Sequence, residues 1–372
     1  SSAVSIWPFG SLAIWNFPMT IRKQPSDFYV EELLAPETLA SIKDRAEGND
    51  VHALYELQKA SLTTPAAINE FCRSVKARPD HASYAGLKDK HAETRQHVTV
   101  KLRTPADAPR ETEGKQWKAH LKGFINHPIV AADITGNRFA IVLRDLARPA
   151  SEEMDRRARL LSSHPPSDIP HPTSLLLTNY FGAQRFGSAR HGAGWIAKSL
   201  ITGDFETALK LAIGTPARKD TGKTRDFTRI LATHWGNWKA MKDLPRLPEG
   251  RAIDVLERGG DFRRAFEALP YFLQSLSVEA YQSHLWNRCA CELVRPMPGN
   301  FSTPDEYGEM LFAPASTVHA PWRNLDLPLL AKNSDLLDPW KETYERVLAS
   351  ESVTVADLRV KGLKRPFFGE AQ

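Results

Sequence analysis

The spacing of the apolar residues changes part-way along the chain, and that change limits the folds open to it. Up to about residue 180, short alternating runs are interleaved with helical stretches. Phe28 and Val30 share one face of a run that follows Pro25, Leu54 to Lys59 reads as a strand, and Val98, Val100 and Leu102 alternate along another. Thr63-Thr64-Pro65 supplies a cap and a first-turn proline for a helix over Ala66 to Val75. Charged, turn-rich residues 103–124 read as a loop or a variable excursion. Ile129 to Asp133 and Phe139 to Leu146 are expected to form a hairpin across Thr135-Gly136-Asn137, with Phe139, Ile141 and Leu143 on one face. A charged helix over Ser151 to Ser163 should end before His164-Pro165-Pro166. From about residue 188 to 325 strands become scarce, and helical periodicity dominates in Trp195 to Ile201, Phe205 to Ala212, Phe262 to Leu269 and Phe272 to Leu293. The expected class is therefore α+β, with a mixed first region and a mostly helical second one. At 372 residues the chain exceeds what one core usually supports, so two domains are expected.

Composition says more about the compartment than about the chemistry. Hydrophobic residues at 42% and charged residues at 25% are ordinary for a soluble globular protein. Lys and Arg number 49 against 44 acids, a formal charge of +5, which permits an RNA partner without demanding one. Three cysteines (Cys72, Cys289 and Cys291) do not make a disulfide framework and fit a reducing compartment. Cys289-x-Cys291 sits in an apolar, helix-like stretch without partners at zinc spacing, so it reads as core packing. The twelve histidines show no HExxH or paired metal spacing, and no metal is expected. No apolar run approaches the roughly 20 residues needed to span a bilayer, so no membrane partner is expected either. The opening SSAVSIWPFGSLAIWNFPM lacks a basic region followed by a clean apolar stretch, which argues against a signal peptide. The expectation is a soluble, cytoplasmic protein.

The chemistry is concentrated near residue 90. In Tyr84-Ala85-Gly86-Leu87-Lys88-Asp89-Lys90-His91, followed by Thr94-Arg95-Gln96, a carboxylate lies between two lysines just after a glycine. Neighbouring cations favour the ionised form of an Asp. That suits a nucleophile or general base acting on something anionic. On composition alone a charged surface turn is the simpler reading. However, AGLKDKHAETRQ resembles the catalytic motif of the TruD family of tRNA pseudouridine synthases, in which the Asp is the essential residue. Further stretches extend the resemblance in the expected order. Asn179 to Gly187 (NYFGAQRFG) is similar to the family's NYFGxQRFG signature, and Gly136-Asn137-Arg138-Phe139 to its GNxF element. Pro25 to Glu32 resembles the amino-terminal PxDFxVxE element, and Ala280 to Asn287 a later helix of the catalytic domain.

The resemblance implies a mixed-sheet pseudouridine synthase domain interrupted by a mostly helical TRUD insertion. Residues 1–187 would form the first part of the catalytic domain, 188–325 the insertion and 326–372 the returning part. It implies a cofactor-free reaction on tRNA, at uridine 13, and leaves open whether other RNA is a partner: the N1–C1′ bond breaks, the base rotates, and it rejoins through C5. Asp89 would be the catalytic residue. The target base must leave its stack, which calls for a pocket with apolar walls and an aromatic surface. Phe139 and Asn137 match the family's pocket Phe and substrate-contacting Asn, and Phe28 matches the Phe of PxDF. Without the match, Phe139 and Phe28 would read as packed strand residues and Asn137 as a turn former. Relatives carry Lys three positions before the Pro; this chain has Arg22, which keeps the charge as a planar fork. Arg22 and Lys88 complete the substrate-binding set.

Residues 179–187 read as supports for the active site. The stretch GTPARKDTGKTRDFTR, with Arg218, Lys219, Lys223, Arg225 and Arg229, reads as a flexible, phosphate-contacting loop or a solvated surface. Its Gly222-Lys223-Thr224 imitates a P-loop ending, but the first glycine of that motif is Ala217, so nucleotide binding is not expected. Relatives close the catalytic domain with a strand resembling FxLPxGxYATxxLRE, whereas this chain reaches Lys361 to Phe368 and ends at Gln372. On that departure rests the alternative reading, a catalytically impaired RNA-binding protein or RNA chaperone that retains the fold.

Overall fold

The computed structural model describes residues 20–360, apart from 49–50, 147, 163–174, 183–184, 188–191, 218–219, 221, 242, 306 and 324. The expected end of the 151–163 helix, two residues of the NYFGAQRFG stretch, Arg218, Lys219 and the segment from Lys361 onward lie outside the described residues. The chain divides into two units, Ser1–Met154 and Asp155–Gln372.

The first unit runs β1 (Thr20–Ile21), β2 (Phe28–Leu34), α1 (Pro36–Ser41), β3 (His52–Ala60), α2 (Thr64–Ser74), β4 (Ala82–Tyr84), β5 (Glu93–Val100), β6 (Glu111–Glu113), β7 (Trp117–Ile125), β8 (Ile134–Ile141) and β9 (Leu143–Arg144). Its main sheet has the order β6-β7-β3-β5-β2-β8, with β4 also paired to β5. The sheet is mixed, since β2 and β5 are parallel while β2–β8 and β3–β5 are antiparallel. Successive residues of β3 face opposite sides, which gives the sheet two cores. On one side Tyr55 and Leu57 join Val98, Val100, Trp117 and the Ile68, Phe71 and Cys72 side of α2. On the other, Leu54 packs with Leu34, Ile125 and Ile129. As expected, Thr63 caps α2, its side chain accepting from the Ala66 amide at 3.4 Å, with Pro65 in the first turn.

Two expectations for this unit are corrected. Residues 103–124 contain β6 and most of β7, an inner strand, rather than a loop. Its apolar face is carried by Trp117 and Ala119, and the register shifts opposite Leu54/Tyr55, which breaks the alternation a sequence reader looks for. Gly123 has φ +142°, and a Cβ there would lie 2.6 Å from the Lys43 carbonyl oxygen, so a glycine is needed at this irregularity. Secondly, Thr135-Gly136-Asn137 is not a hairpin turn. It lies inside β8, one strand paired with β2 along its length, so that Asn137 stands opposite Glu32 and Phe139 opposite Val30. The long ladder offered by β2 outweighs local turn propensity. The corner comes earlier, at Ala131–Asp133, where the Asp133 carboxylate accepts from the Val130 amide at 2.8 Å and the Thr38 hydroxyl at 2.9 Å.

Helix α3 (Arg148–Leu161) runs across the boundary between units. The second unit continues with α4 (Ile196–Thr202), α5 (Phe205–Leu209), α6 (Gly222–His234), α7 (Gly250–Glu257), α8 (Phe262–Glu267), α9 (Tyr271–Val294), β10 (Phe301–Asp305), β11 (Gly308–Phe312), α10 (Ala320–Arg323) and α11 (Lys341–Ser350). Leu200, Phe227, Leu231, Phe266, Tyr281 and Leu285 centre its core. From residue 326 the described chain joins this same core through Leu330, Tyr344, Val347, Leu348, Leu358 and Val360. The antiparallel β10–β11 pair lies in the stretch where strands read as scarce. Much of the basic segment expected to be flexible is α6, and Lys223 and Arg225 stand on its exposed first turns. Cys289 is buried here, and Cys72 in the first unit; burial pushes their thiols up to about 12 and about 11, so both pack rather than react. Among the described residues, no helix is long and apolar enough to cross a membrane. A mixed sheet and a helical unit make the chain α+β, as the pattern predicts.

Candidate active site

Between β4 and β5 the chain crosses the sheet as an irregular segment whose main chain is fastened from below. The Lys88 amide donates to the Thr64 hydroxyl at 3.0 Å, and that hydroxyl donates to Gln96 Oε1 at 3.0 Å. Gln96 Nε2 returns to the Gly86 carbonyl at 3.3 Å. Lys59, which shares its face of β3 with Tyr55 and Leu57, donates to the Asp89 carbonyl at 2.9 Å and lies 3.4 Å from that of Lys88. Thr64 begins α2, while Lys59 and Gln96 belong to β3 and β5, so three elements set the path of a loop with no regular structure of its own.

Above this support the Asp89 side chain is 47% exposed, with Arg22 Nη2 donating to Oδ2 at 3.1 Å. A pair this open to water adds little stability, so its use is orientation. Arg22 itself has φ +64°, a left-handed conformation uncommon outside glycine and found where a side chain must be aimed. Its guanidinium lies 3.8 Å over the Phe28 ring, and Phe28 meets Phe139 edge-on at 6.1 Å. Phe139 is 56% exposed. The packed-strand reading of Phe139 therefore fails, and an aromatic surface stands open beside the carboxylate. The β2–β8 register puts Phe28, Val30 and Glu32 on one face with Ile141, Phe139 and Asn137. Asp89, Arg22, Phe28 and Phe139 are thus linked by contact, with the exposed Asn137 on the same face of β8.

Lys88 behaves differently from its motif neighbour. Instead of pointing at a substrate, its ammonium is committed to Glu32 at 2.7 Å, with both side chains largely buried. Glu32 also accepts from the His97 amide at 2.8 Å. Burial works to raise the Glu32 pKa, but the hydrogen bonds from His97 and Lys88 outweigh it and hold it low. Removing one partner of such a pair would cost about 3–5 kcal/mol. Asp27, the buried Asp of the PxDF element, also serves the structure. Arg144 grips it with two hydrogen bonds of 2.8 and 2.6 Å, and this holds its carboxyl down to about 2. The next residue is Phe28, so the grip fixes where the aromatic surface begins. Arg95 pairs with Glu31 in register and so belongs to the opposite face of the sheet from Phe139. Glu32, Thr64 and Gln96 lie in stretches that the sequence singles out, but their roles under the loop are not foreseen there, and Lys59 reads only as part of a strand. The one readable signal is that Lys59 continues the buried alternation Tyr55, Leu57.

In the second unit, the described part of NYFGAQRFG is locked to α9. The Asn287 side chain accepts from the Phe181 amide at 2.9 Å and donates to the Phe181 carbonyl at 2.9 Å. The Tyr180 hydroxyl donates to the Leu311 carbonyl at 2.8 Å, Arg185 pairs with Glu279 at 2.8 Å, and Phe186 is fully buried. Two separate sequence motifs thus meet in one structural joint.

Comparison with known proteins places these observations in a family. The family model described as tRNA pseudouridine synthase D (TruD) matches residues 16–306. A Methanococcus maripaludis protein named "Probable tRNA pseudouridine synthase D 1" is 27% identical over 370 residues, covering 94% of this chain and 88% of its own. The tRNA pseudouridine synthase D of Aquifex aeolicus is 29% identical over 273 residues, covering 72% of this chain and 64% of its own. A crystal structure of a candidate tRNA pseudouridine synthase D from Methanosarcina mazei shares the fold, with a TM-score of 0.66 at 21% identity, covering 92% of this chain and 80% of that one.

Proposed function

The chain belongs to the TruD family of tRNA pseudouridine synthases, isomerases acting on uridine in tRNA, and from this we propose that it isomerises uridine 13 through Asp89 without a cofactor. The observation that carries the residue assignment is the half-exposed Asp89 carboxylate, held by Arg22 beside the open Phe28–Phe139 pair. Uridine and pseudouridine are isomers, so the reaction needs no net oxidant, reductant or group donor. The N1–C1′ bond breaks, a C5–C1′ bond forms, N1 gains a proton and C5 loses one. A carboxylate can start this by attacking C1′ or by taking the 2′ proton so that a glycal forms. Asp89 can do either, because Lys59 holds its carbonyl and Thr64 the amide of the preceding Lys88, which leaves its side chain to Arg22.

The remaining roles follow from position. Phe139 offers a face for the extruded base, and Phe28 with Arg22 backs it. Asn137 is the proposed substrate-contacting residue, and its exposed position on the same face of β8 supports that reading. Lys88 acts from below through Glu32. The division into catalytic parts and a helical insertion over 188–325 remains our inference from the resemblance. A tRNA transcript with uridine at position 13 should gain pseudouridine there when incubated with the protein, and one carrying cytidine at that position should gain none. Asp89→Asn should remove the activity and keep RNA affinity. Tight binding by wild type with no pseudouridine in any tRNA would favour the RNA-binding reading instead. Slowing by deuterium at C2′ selects the glycal route, and its absence selects attack at C1′.

A further inference from the structure

Lys59 belongs to none of the motifs, yet it holds the backbone of the residue assigned to the chemistry. It lies near the end of β3, opposite Thr94 of β5 and Trp117 of β7, both uncharged. Its side chain is 2% exposed, and its hydrogen bonds go to carbonyl oxygens rather than to a carboxylate. The charged groups around it are Asp89 and Lys88 of the loop, with Glu32 of β2 engaged by Lys88 and Arg22 by Asp89. Burial pushes the Lys59 ammonium down to about 8, while Asp89 pulls it up and Lys88 lowers it further. A buried cation without a carboxylate partner is costly to keep, and a Met would fill the same volume without that cost. Thr64 and Gln96 hold the Lys88 amide and the Gly86 carbonyl, both upstream; Lys59 holds the carbonyl of Asp89 itself.

We propose that Lys59 is a positioning residue for the isomerisation, its ammonium clamping the Lys88–Asp89 main chain so that the Asp89 carboxylate stands at Arg22 and at the target sugar. The proposal rests on Asp89 being the reacting group. The Lys59 ammonium hydrogen-bonds main-chain carbonyls, and a displacement of about 1 Å at a reacting group can cost about 10²-fold in rate.

Lys59→Met and Lys59→Gln in the full chain test this, with kcat and KM on a tRNA transcript, melting temperature and amide exchange of residues 86–90 as readouts. Lys59→Met is expected to lose about 10²-fold in kcat with KM unchanged. Its melting temperature should hold or rise, because a buried charge has been removed. Exchange should quicken at 86–90 alone. Lys59→Gln, whose amide still donates to a carbonyl, should recover part of the rate. Wild-type kcat should fall as pH rises through about 8, a limb that Lys59→Met lacks. Wild-type exchange at 86–90 in Lys59→Met would overturn the proposal whatever the turnover. So would a loss of rate that only follows a lowered melting temperature. Wild-type turnover by Asp89→Asn would overturn the reading of Asp89 and the proposal with it, an outcome distinct from the exchange result, which tests the clamp alone.

Discussion

Phe139 stands 56% exposed on the sheet of the first unit, whereas Phe186 in the second has no exposed surface. Both lie in stretches that mark the family, and in the sequence both read as aromatic residues beside an arginine. Around Phe139 the neighbours leave room: Phe28 meets it edge-on, Arg22 covers Phe28, and Ile141 on the same face of β8 is exposed as well. Such an apolar surface beside a carboxylate is what an extruded base would cover. Around Phe186 the neighbours leave none, since Trp195 and Tyr307 pack on the ring while Asn287 ties down Phe181. A motif reports that certain residues are needed. Whether they serve chemistry or architecture is decided by exposure and by how many partners already claim them.

Three substitutions can break this contrast. Asp89→Asn should have the largest effect, a loss of pseudouridine formation of roughly 10³-fold or more with an unchanged melting temperature. Phe186→Ala should destabilise by about 3–5 kcal/mol, read as a lowered denaturant midpoint, while the protein that remains folded keeps its kcat. Phe139→Ala should do the reverse. Its ring is already wet, so stability should hardly move, while kcat/KM falls by about 1–3 kcal/mol of stacking. If Phe139→Ala melts the protein as Phe186→Ala does, the two regions do not differ and the pocket assignment fails.

The contrast also explains which parts could be read in the sequence. Asp89, Phe28 and Phe139 could be singled out because the motifs that carry the resemblance are local, whereas strand alternation alone reads the two phenylalanines as packed. The α+β division was legible because spacing changes from strand to helix. Strand β7 was hidden by Lys118 and Lys122 on its outer side and by the register shift near Gly123. The turn expected at Gly136 was an error of local propensity, overruled by pairing with a strand about a hundred residues away. Lys88 looked like a substrate contact because sequence shows its neighbour Asp89 and not Glu32, 56 residues distant. Lys59 was missed for a related reason: a lysine near a strand end is ordinarily solvated, and only the folded loop above it shows that it is buried.

The smallest expected effect concerns acid. Arg144 and the Gln24 amide hold Asp27 at about 2, below the usual carboxylate range. A carboxylate whose pKa is lower folded than unfolded binds fewer protons in the native state. Its contribution is therefore complete above about pH 4 and is lost as pH falls through about 2. The second unit has a counterpart in Glu351, held low by His284, although burial opposes this, and by Lys198. The two responses can be separated by place. Arg144→Met should raise the Asp27 pKa, so that exchange protection on β2 and β8 fails at a higher pH than in wild type. Protection on α9, which carries His284, should fail at the wild-type pH. If the α9 amides move together with β2 and β8, the two units unfold as one under acid and the Asp27–Arg144 pair is not a local device.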